Sequence, residues 1–161
     1  MKEQLKEQIG RKHFYDDFHL LYMMDFSKGL FDKWDVMLTA ITDTARTYIA
    51  EIKDYNDEHN PRPYNKFNTG STDNGYQIDY DKVDYLVKTA QYQGRTPILY
   101  ARFSDWTIIW NLNNIPYQER MKPKITNKKG TDYGKEKELS WQTYLYKDEA
   151  VWIKKTHDGD R

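Results

Sequence analysis

Three charged residues in two neighbouring segments have the types and spacing of a site that could hydrolyse a bond with help from a metal ion. Glu51 and Lys53 stand two positions apart in RTYIAEIK, and Asp35 stands near the start of WDVMLTAI. Residues two apart in a β-strand point to the same face. Charged groups at the end of such an apolar strand need water, an opposite charge or a metal.

The two segments, 34–41 and 46–53, are rich in β-branched and aromatic residues and predict a β-hairpin around Thr42-Asp43-Thr44. With the turn centred on Thr44, Asp35 lies opposite Lys53 and diagonal to Glu51, at about 7–8 Å. Two carboxylates this close repel unless a cation lies between them. Carboxylate and carbonyl oxygens are the ligands that Mg²⁺ prefers. The hairpin therefore predicts a cation site at its open end.

At these residues the sequence resembles the PD-(D/E)xK nuclease superfamily, which has the restriction-endonuclease-like fold. The matching features are Asp35 at the start of one strand, Glu51-x-Lys53 in the next, a helix before the hairpin, and a helix with two strands after it over 79–112. The resemblance covers about residues 2–112. Trp34 stands where the family pattern has proline.

This resemblance implies a nuclease that hydrolyses phosphodiester bonds in DNA, or in a branched DNA intermediate, with Mg²⁺ or Mn²⁺ as cofactor. Asp35, Glu51 and the Ile52 carbonyl would hold the metal, and Lys53 would orient or activate the attacking water. Some relatives add an acidic residue from the first helix, for which Glu7 and Asp17 are both candidates.

Three other interpretations stay open for the same residues. Asp35, Glu51 and Lys53 can form a salt-bridge cluster at a solvated end of the sheet. The fold can also be that of a nuclease which has lost its activity and only binds nucleic acid or protein. Finally, the aromatic-rich strands can belong to a small oligomeric accessory protein without affinity for DNA.

The remaining elements predict a single α/β domain, with a restriction-endonuclease-like mixed sheet flanked by helices. A first helix is expected over 2–24, weakened at Gly10, and a second begins after Asp79 and ends at Gly94. The segment 54–78 is expected to be a long connection without regular structure. Strands are expected over 97–103, 107–112 and 139–153, the last with a helical alternative for 138–149. The core thus spans about 2–112, followed by a basic, turn-rich extension over about 113–161.

A basic segment at 120–137 has seven Lys or Arg residues against two acidic ones. We expect its lysines to contact phosphates, unless the segment is an ordinary solvated loop; the candidates are Lys122, Lys124, Lys128 and Lys129. Tyr64, Phe67 and Tyr76 in the long connection either stack on unpaired bases or hold that connection against the body.

Composition limits the classes of protein further. The chain has 161 residues, with 25 Lys and Arg against 25 Asp and Glu, so bulk positive charge cannot drive binding to nucleic acid or to a membrane. The absence of cysteine excludes disulfides and thiol chemistry. A charged N-terminus and the lack of an apolar run of about 20 residues predict a cytoplasmic protein without a membrane span. A homodimer is compatible with all of this.

Overall fold

The structure is a computed structural model that describes residues 2–28, 33–65, 73–127 and 137–157. These residues form two α-helices and nine strands. In chain order they are α1 (Lys2–Phe18), β1 (Tyr22–Phe26), β2 (Val36–Ala40), β3 (Thr47–Asp54), β4 (Tyr76–Asp79), α2 (Tyr80–Gln93), β5 (Thr96–Arg102), β6 (Trp106–Asn111), β7 (Lys122–Asn127), β8 (Lys137–Leu145) and β9 (Trp152–Lys155).

Six strands form one mixed sheet in the order β1-β2-β3-β5-β6-β9. Only β3 and β5 run parallel, and α2 belongs to the connection between them; the other neighbours are antiparallel. Strands β4, β8 and β7 form a smaller antiparallel sheet. The molecule is thus a single α/β domain with a mixed sheet and two helices.

The predicted hairpin is present as β2–β3, but its register differs from the prediction. Val36 pairs with Ala50, so continuing the register by one residue sets Asp35 opposite Glu51 and not opposite Lys53. The turn lies one residue earlier because the Asp43 carbonyl accepts from the Arg46 N–H and the Asp43 carboxylate accepts from the Ala45 N–H. Moving a turn centre by one residue shifts each partner by two, so every side chain keeps its face.

The first helix is shorter than predicted. It ends at Phe18, and Tyr22 to Met24, predicted to be helical, instead belong to β1, which pairs with β2 along its whole length. Leu5 and Ile9, in the first half of the helix, are exposed. Gly10, Phe14 and Phe18, spaced by four, form the buried face of α1.

The two faces of the large sheet carry separate apolar clusters. On one face α1 covers the first cluster, which consists of Phe14, Phe18, Val36, Leu38, Ala50, Ile52, Ile98, Tyr100 and Ile109. On the other face α2 and the small sheet cover the second, which includes Ile49, Leu99, Ala101, Ile108 and Trp110 of the sheet with Val83, Leu86, Val87 and Ala90 of α2.

The second helix agrees with its prediction except at its cap. It ends at Gly94, whose φ of 66° lies in the left-handed region that favours glycine. Asp79 precedes the helix but makes no capping hydrogen bond with its side chain. Its carboxylate instead accepts from Gln142 Nε2 at 2.5 Å, which ties the helix start to β8.

The connection 54–78 is partly ordered by packing, contrary to the prediction. It contains part of β4, and Tyr64 and Tyr76 are buried in the second cluster, so they hold the connection to the body and are not available to stack on bases. Phe67 lies outside the described residues. Strands β5 and β6 confirm the predicted strands at 97–103 and 107–112.

The C-terminal residues add three strands to the fold. Residues 122–127, predicted as turn-rich, form β7, and 139–153 divides into β8, a short 3₁₀ turn at Lys147–Glu149 and β9. Strand β9 completes the large sheet beside β6. Neither described helix combines the length and the apolar character needed to cross a membrane.

Candidate active site

A cleft of about 520 Å³ lies at the C-terminal end of β3, between α1 and the first turn of α2. Ligands of open α/β sheets bind at the carboxyl ends of parallel strands, and β3 with β5 is the parallel pair of this sheet. The lining residues come from α1, the start of β2, β3 and α2: Lys6, Glu7, Gly10, Lys33, Asp35, Glu51, Ile52, Lys53, Asp54, Tyr55, Asp81 and Lys82.

Gly10 lets α1 approach β3 closely enough to form one wall of this cleft. A Cβ at this position would lie 3.1 Å from the Asp54 Cβ and 3.3 Å from the Ile52 Cγ2. A larger residue would therefore require Asp54, Ile52 or the helix to shift by a few tenths of an ångström. The glycine that weakens the sequence signal for a helix is required by packing.

Asp35 is held rigidly at the bottom of the cleft, where it is 6% exposed. Its Oδ1 accepts from Arg11 Nε at 3.2 Å and from Arg11 Nη2 at 2.9 Å. Its Oδ2 accepts from the Ile52 N–H at 2.7 Å. Because an arginine fork and a backbone amide fix the carboxylate, it cannot change rotamer without losing three hydrogen bonds.

Glu51 and Lys53 are brought together by the two-residue period of β3. The Lys53 Nζ lies 2.7 Å from Glu51 Oε1. The pKa of Glu51 is raised to about 7, because burial and the adjacent Asp35 carboxylate together raise it by more than Lys53 lowers it. Burial lowers the pKa of Lys53, but the Glu51 carboxylate more than offsets this, so the pKa of Lys53 lies above its ordinary value. Lys53 therefore remains an ammonium group at neutral pH.

Arg11 is the functional-site residue that sequence reasoning missed. Besides Asp35 it binds Glu7 Oε1 at 2.9 Å, the Ser27 carbonyl at 2.9 Å and Ser27 Oγ at 2.8 Å. The only signal in the sequence was the four-residue spacing of Glu7 and Arg11, which is typical of a helical ion pair. Its link to Asp35 is long-range and leaves no trace in the sequence.

Of the two candidate acids in α1, Glu7 lines the cleft and shares Arg11 with Asp35. Asp17 has a different role. It accepts from the Tyr100 hydroxyl at 3.0 Å and pairs with Lys154 at 2.6 Å, which links α1 to β5 and β9.

The donor set fits a small divalent cation. The two carboxylates of Asp35 and Glu51 lie together, and the Ile52 carbonyl lies on the same edge of β3 as its N–H, which faces Asp35. These are hard oxygen ligands of the kind that Mg²⁺ takes. The raised pKa of Glu51 comes chiefly from the burial of its carboxyl group, with a further contribution from the adjacent Asp35 carboxylate. Among the described residues no cluster of three or more His, Asp or Glu side chains has the arrangement of a metal site.

Tyr55 extends the cleft toward the second cluster. Its hydroxyl hydrogen-bonds with the Tyr76 hydroxyl, and its ring stacks on Phe103 at 5.3 Å. The Arg62 guanidinium lies over the Tyr55 ring at 4.9 Å and within 5.8 Å of the Tyr76 ring. Burial raises the pKa of Tyr76 well above its ordinary value, so the Tyr76 hydroxyl stays protonated at neutral pH.

The rim of the cleft carries three lysines. Lys6 pairs with Asp57 at 2.5 Å, Lys33 lies 4.6 Å from the centre of the Tyr85 ring, and Lys82 is 3.9 Å from Asp79. The lining also carries five acidic residues, so it has no excess of positive charge; they are Glu7, Asp35, Glu51, Asp54 and Asp81.

The lysines expected to bind nucleic acid lie apart from the lining of this cleft. Lys122 and Lys124 are on β7, where Lys124 donates to Gln77 Oε1 at 3.0 Å and Lys122 lies 5.5 Å from the centre of the Tyr144 ring. Lys128 and Lys129 lie outside the described residues.

Comparisons with known proteins do not identify a function, so the function has to be inferred from the geometry of the cleft. No protein-family model matches the chain, and no curated protein or solved structure is significantly similar to it. The resemblance to the PD-(D/E)xK superfamily therefore depends on the motif at Asp35, Glu51 and Lys53 and on the order of elements around it.

Proposed function

We propose that this protein is a metal-dependent nuclease that hydrolyses phosphodiester bonds in DNA. The observation that carries the proposal is the adjacent pair of carboxyl groups, buried Asp35 and half-buried Glu51. They lie with Lys53, whose Nζ is 2.7 Å from Glu51 Oε1, in a cleft that has lysines at its rim. Asp35, Glu51 and the Ile52 carbonyl would hold Mg²⁺ or Mn²⁺.

The order of elements supports the proposal. A helix precedes the β2–β3 hairpin, and a helix followed by two strands comes after it, as the restriction-endonuclease-like fold implies. Asp35 stands just before β2 and Glu51-x-Lys53 lies within β3, which are the positions that the motif requires.

In this proposal the chain's own residues each have a defined task. The bound metal would lower the pKa of a water and neutralise charge on the phosphate. Lys53, as an ammonium group, stabilises the negative charge that develops on the phosphate and orients the attacking water. Arg11 and the Ile52 N–H keep the Asp35 carboxylate in one orientation, so little reorganisation accompanies the reaction. Lys6, Lys33 and Lys82 position the neighbouring phosphates.

The test uses purified protein with plasmid and branched DNA, in Mg²⁺, in Mn²⁺ and in EDTA. We expect cleavage with either metal, none in EDTA, and a loss of at least about a hundredfold in Asp35→Asn and Glu51→Gln, because each removes a metal ligand. Asp16→Asn, at an exposed carboxylate on α1, is the matched control and should cleave as the wild type does. Wild-type protein that leaves both DNAs intact, or site variants that cleave normally, would overturn the proposal.

A second candidate function is a nuclease-like module that binds nucleic acid without cleaving it. It is favoured by the Arg11 guanidinium, which already supplies a positive charge to Asp35 Oδ1. This candidate predicts salt-sensitive DNA binding that is the same in EDTA as in Mg²⁺. DNA as the partner and a homodimer as the assembly both stay predictions.

A further inference from the structure

The Arg11 guanidinium occupies the space between α1 and the residues that precede β2. Its Nη2 lies 2.9 Å from Glu7 Oε1 and 2.9 Å from Asp35 Oδ1. Ser27, which follows β1, accepts from Nη1 through its carbonyl at 2.9 Å and from Nη2 through its hydroxyl at 2.8 Å. The Cζ atom lies 5.8 Å from the centre of the Phe26 ring. Displacing this side chain would therefore break contacts with three segments of the chain.

These contacts leave the Asp35 carboxylate little capacity to bind further groups. An ionised carboxylate has about four lone-pair sites, two on each oxygen. Oδ1 accepts from Arg11 Nε at 3.2 Å and from Arg11 Nη2 at 2.9 Å, so both of its sites are used. Oδ2 accepts from the Ile52 N–H at 2.7 Å and keeps one site. Asp35 can therefore bind one cation through Oδ2 while Arg11 stays in place.

A pair of divalent cations would need more from this carboxylate. Sites for two metal ions hold them about 3.5–4 Å apart, and a carboxylate shared by both ions binds one through each oxygen. At Asp35 this would require a site on Oδ1, where Arg11 already donates. The guanidinium is positively charged at every pH that a protein tolerates, so it supplies beside Asp35 the charge that a second ion would bring.

Two neighbouring acids of the cleft are also paired with cations. Glu51 Oε1 lies 2.7 Å from Lys53 Nζ, and Asp54 Oδ2 accepts from Arg102 Nη2 at 3.0 Å. A second divalent cation at these acids would have to displace a cation that they already bind.

We propose that the cleft binds a single divalent cation, because the Arg11 guanidinium takes the place of a second one beside Asp35. Arg11 is then a positioning residue, since it acts through the Asp35 carboxylate. This inference rests on the proposed function, which supplies the one cation at Asp35 and Glu51.

Titration with Mn²⁺ in the absence of DNA tests this number, because the electron paramagnetic resonance signal of free Mn²⁺ shows how much has been bound. We expect one tightly bound Mn²⁺ per chain for the wild type and two for Arg11→Ala. That substitution frees Asp35 Oδ1 and leaves two carboxylate oxygens, of Glu7 and Asp35, that had shared one nitrogen. Two ions about 3.5–4 Å apart should also show spin coupling. Glu7→Gln added to Arg11→Ala should return the number to one.

Two further variants separate the position of Arg11 from general effects on the helix. Arg11→Lys keeps a cation beside Asp35 and should bind one Mn²⁺. Lys12→Ala removes a positive charge at an exposed position of the same helix and should behave as the wild type does. Circular dichroism checks that each variant is folded. If Arg11→Ala does not fold, the wild type still decides, because two bound Mn²⁺ per wild-type chain would overturn the proposal.

The possible results distinguish this inference from the proposed function. Two Mn²⁺ in the wild type, or only one in folded Arg11→Ala, would overturn the single-cation site and leave the nuclease standing. One Mn²⁺ in the wild type and two coupled ions in Arg11→Ala, without cleavage of DNA, would contradict the nuclease and support this inference. A wild type that binds no Mn²⁺ would overturn both.

Discussion

The two carboxyl groups in the cleft, Asp35 and Glu51, have different groups of opposite charge beside them. Asp35 has a guanidinium fork and a backbone amide, which together fix both of its oxygens. Glu51 has a single ammonium group, Lys53, and beside it the like charge of Asp35. Arginine holds a carboxylate in a fixed geometry, whereas lysine acts as a mobile point charge. The charge of Glu51 is therefore compensated by fewer contacts than the charge of Asp35.

The pKa of Glu51 predicts how its substitution changes stability with pH. Because the pKa is about 7 in the fold against an ordinary value of 4.5, the folded protein keeps a proton that the unfolded chain releases. The contribution of Glu51 to the free energy of unfolding is therefore complete below about pH 4.5 and falls as the pH rises through 7. We expect Glu51→Gln to have nearly the stability of the wild type at pH 4 and to be more stable at pH 8, by about 3 kcal/mol at most.

Urea unfolding in EDTA at the two pH values measures this difference. Glu58→Gln, at an exposed carboxylate in the long connection, serves as the control and should follow the wild type at both pH values. A Glu51→Gln variant that is less stable than the wild type at pH 8 would contradict the raised pKa.

For single residues, the sequence predicts which side chains share a face of the sheet better than it predicts which residues pair across the strands. Glu51 and Lys53 lie together because the strand period is two, and the one-residue error in the turn centre preserved their face with respect to Asp35. Arg11 could not be predicted as the partner of Asp35, because 24 positions separate them and only the packing of α1 on β3 brings them together.

At the scale of elements, the position of α1 depends on Gly10. Alanine would favour the helix by about 1 kcal/mol, but its Cβ would meet the Asp54 Cβ at 3.1 Å and the Ile52 Cγ2 at 3.3 Å. Overpacking of this kind costs about 1–3 kcal/mol. We therefore expect Gly10→Ala to lower the free energy of unfolding by about 1 kcal/mol, measured by urea denaturation.

The matched control for this substitution is Lys12→Ala, at an exposed position of the same helix. It removes no packing contact of this kind and should change stability by less than about 0.5 kcal/mol. If Gly10→Ala proved more stable than the wild type, helix propensity would outweigh the contact with β3 and the close approach of α1 would not be required.

Local signals predicted some elements and failed for others for a physical reason. Helix α2 was predictable, since Val83, Leu86, Val87 and Ala90 have helical spacing and Gly94 ends the run. Strand β1 could not be predicted, because Leu21 and Tyr22 continue the helical spacing of Phe14 and Phe18. The extended conformation of β1, which starts at Tyr22, depends on its pairing with β2. The small sheet could not be predicted from local signals either, since β4 pairs with β8, which lies far along the chain.

At the scale of the whole molecule, β3 and β5 connect the two apolar clusters. Ile49 and Leu99 face α2, while their neighbours Ala50 and Ile98 face α1. We expect one cooperative transition as a result, in which Leu86→Ala lowers the free energy of unfolding by about 2–5 kcal/mol and Phe14→Ala by about 3–5 kcal/mol. Circular dichroism and tryptophan fluorescence followed in the same urea series should give coincident midpoints for both variants.

Leu20→Ala provides the control for these two variants, because Leu20 is 79% exposed. Its midpoint should stay close to that of the wild type. Separate transitions in Phe14→Ala or Leu86→Ala would mean that the two faces of the sheet unfold independently, contrary to the shared central strands.

The pairing of β9 with β6 has a consequence for the order in which the protein can fold during synthesis. Residues 106–109 of β6 lack their outer neighbour until residues 152–155 have left the ribosome. Strand β4 likewise has no pairing partner until residues 142–145 of β8 have been synthesised. Contacts between such distant parts of the chain slow folding. The nascent chain therefore exposes an unpaired sheet edge until almost all of these residues have been translated, and this edge is where a chaperone would be needed.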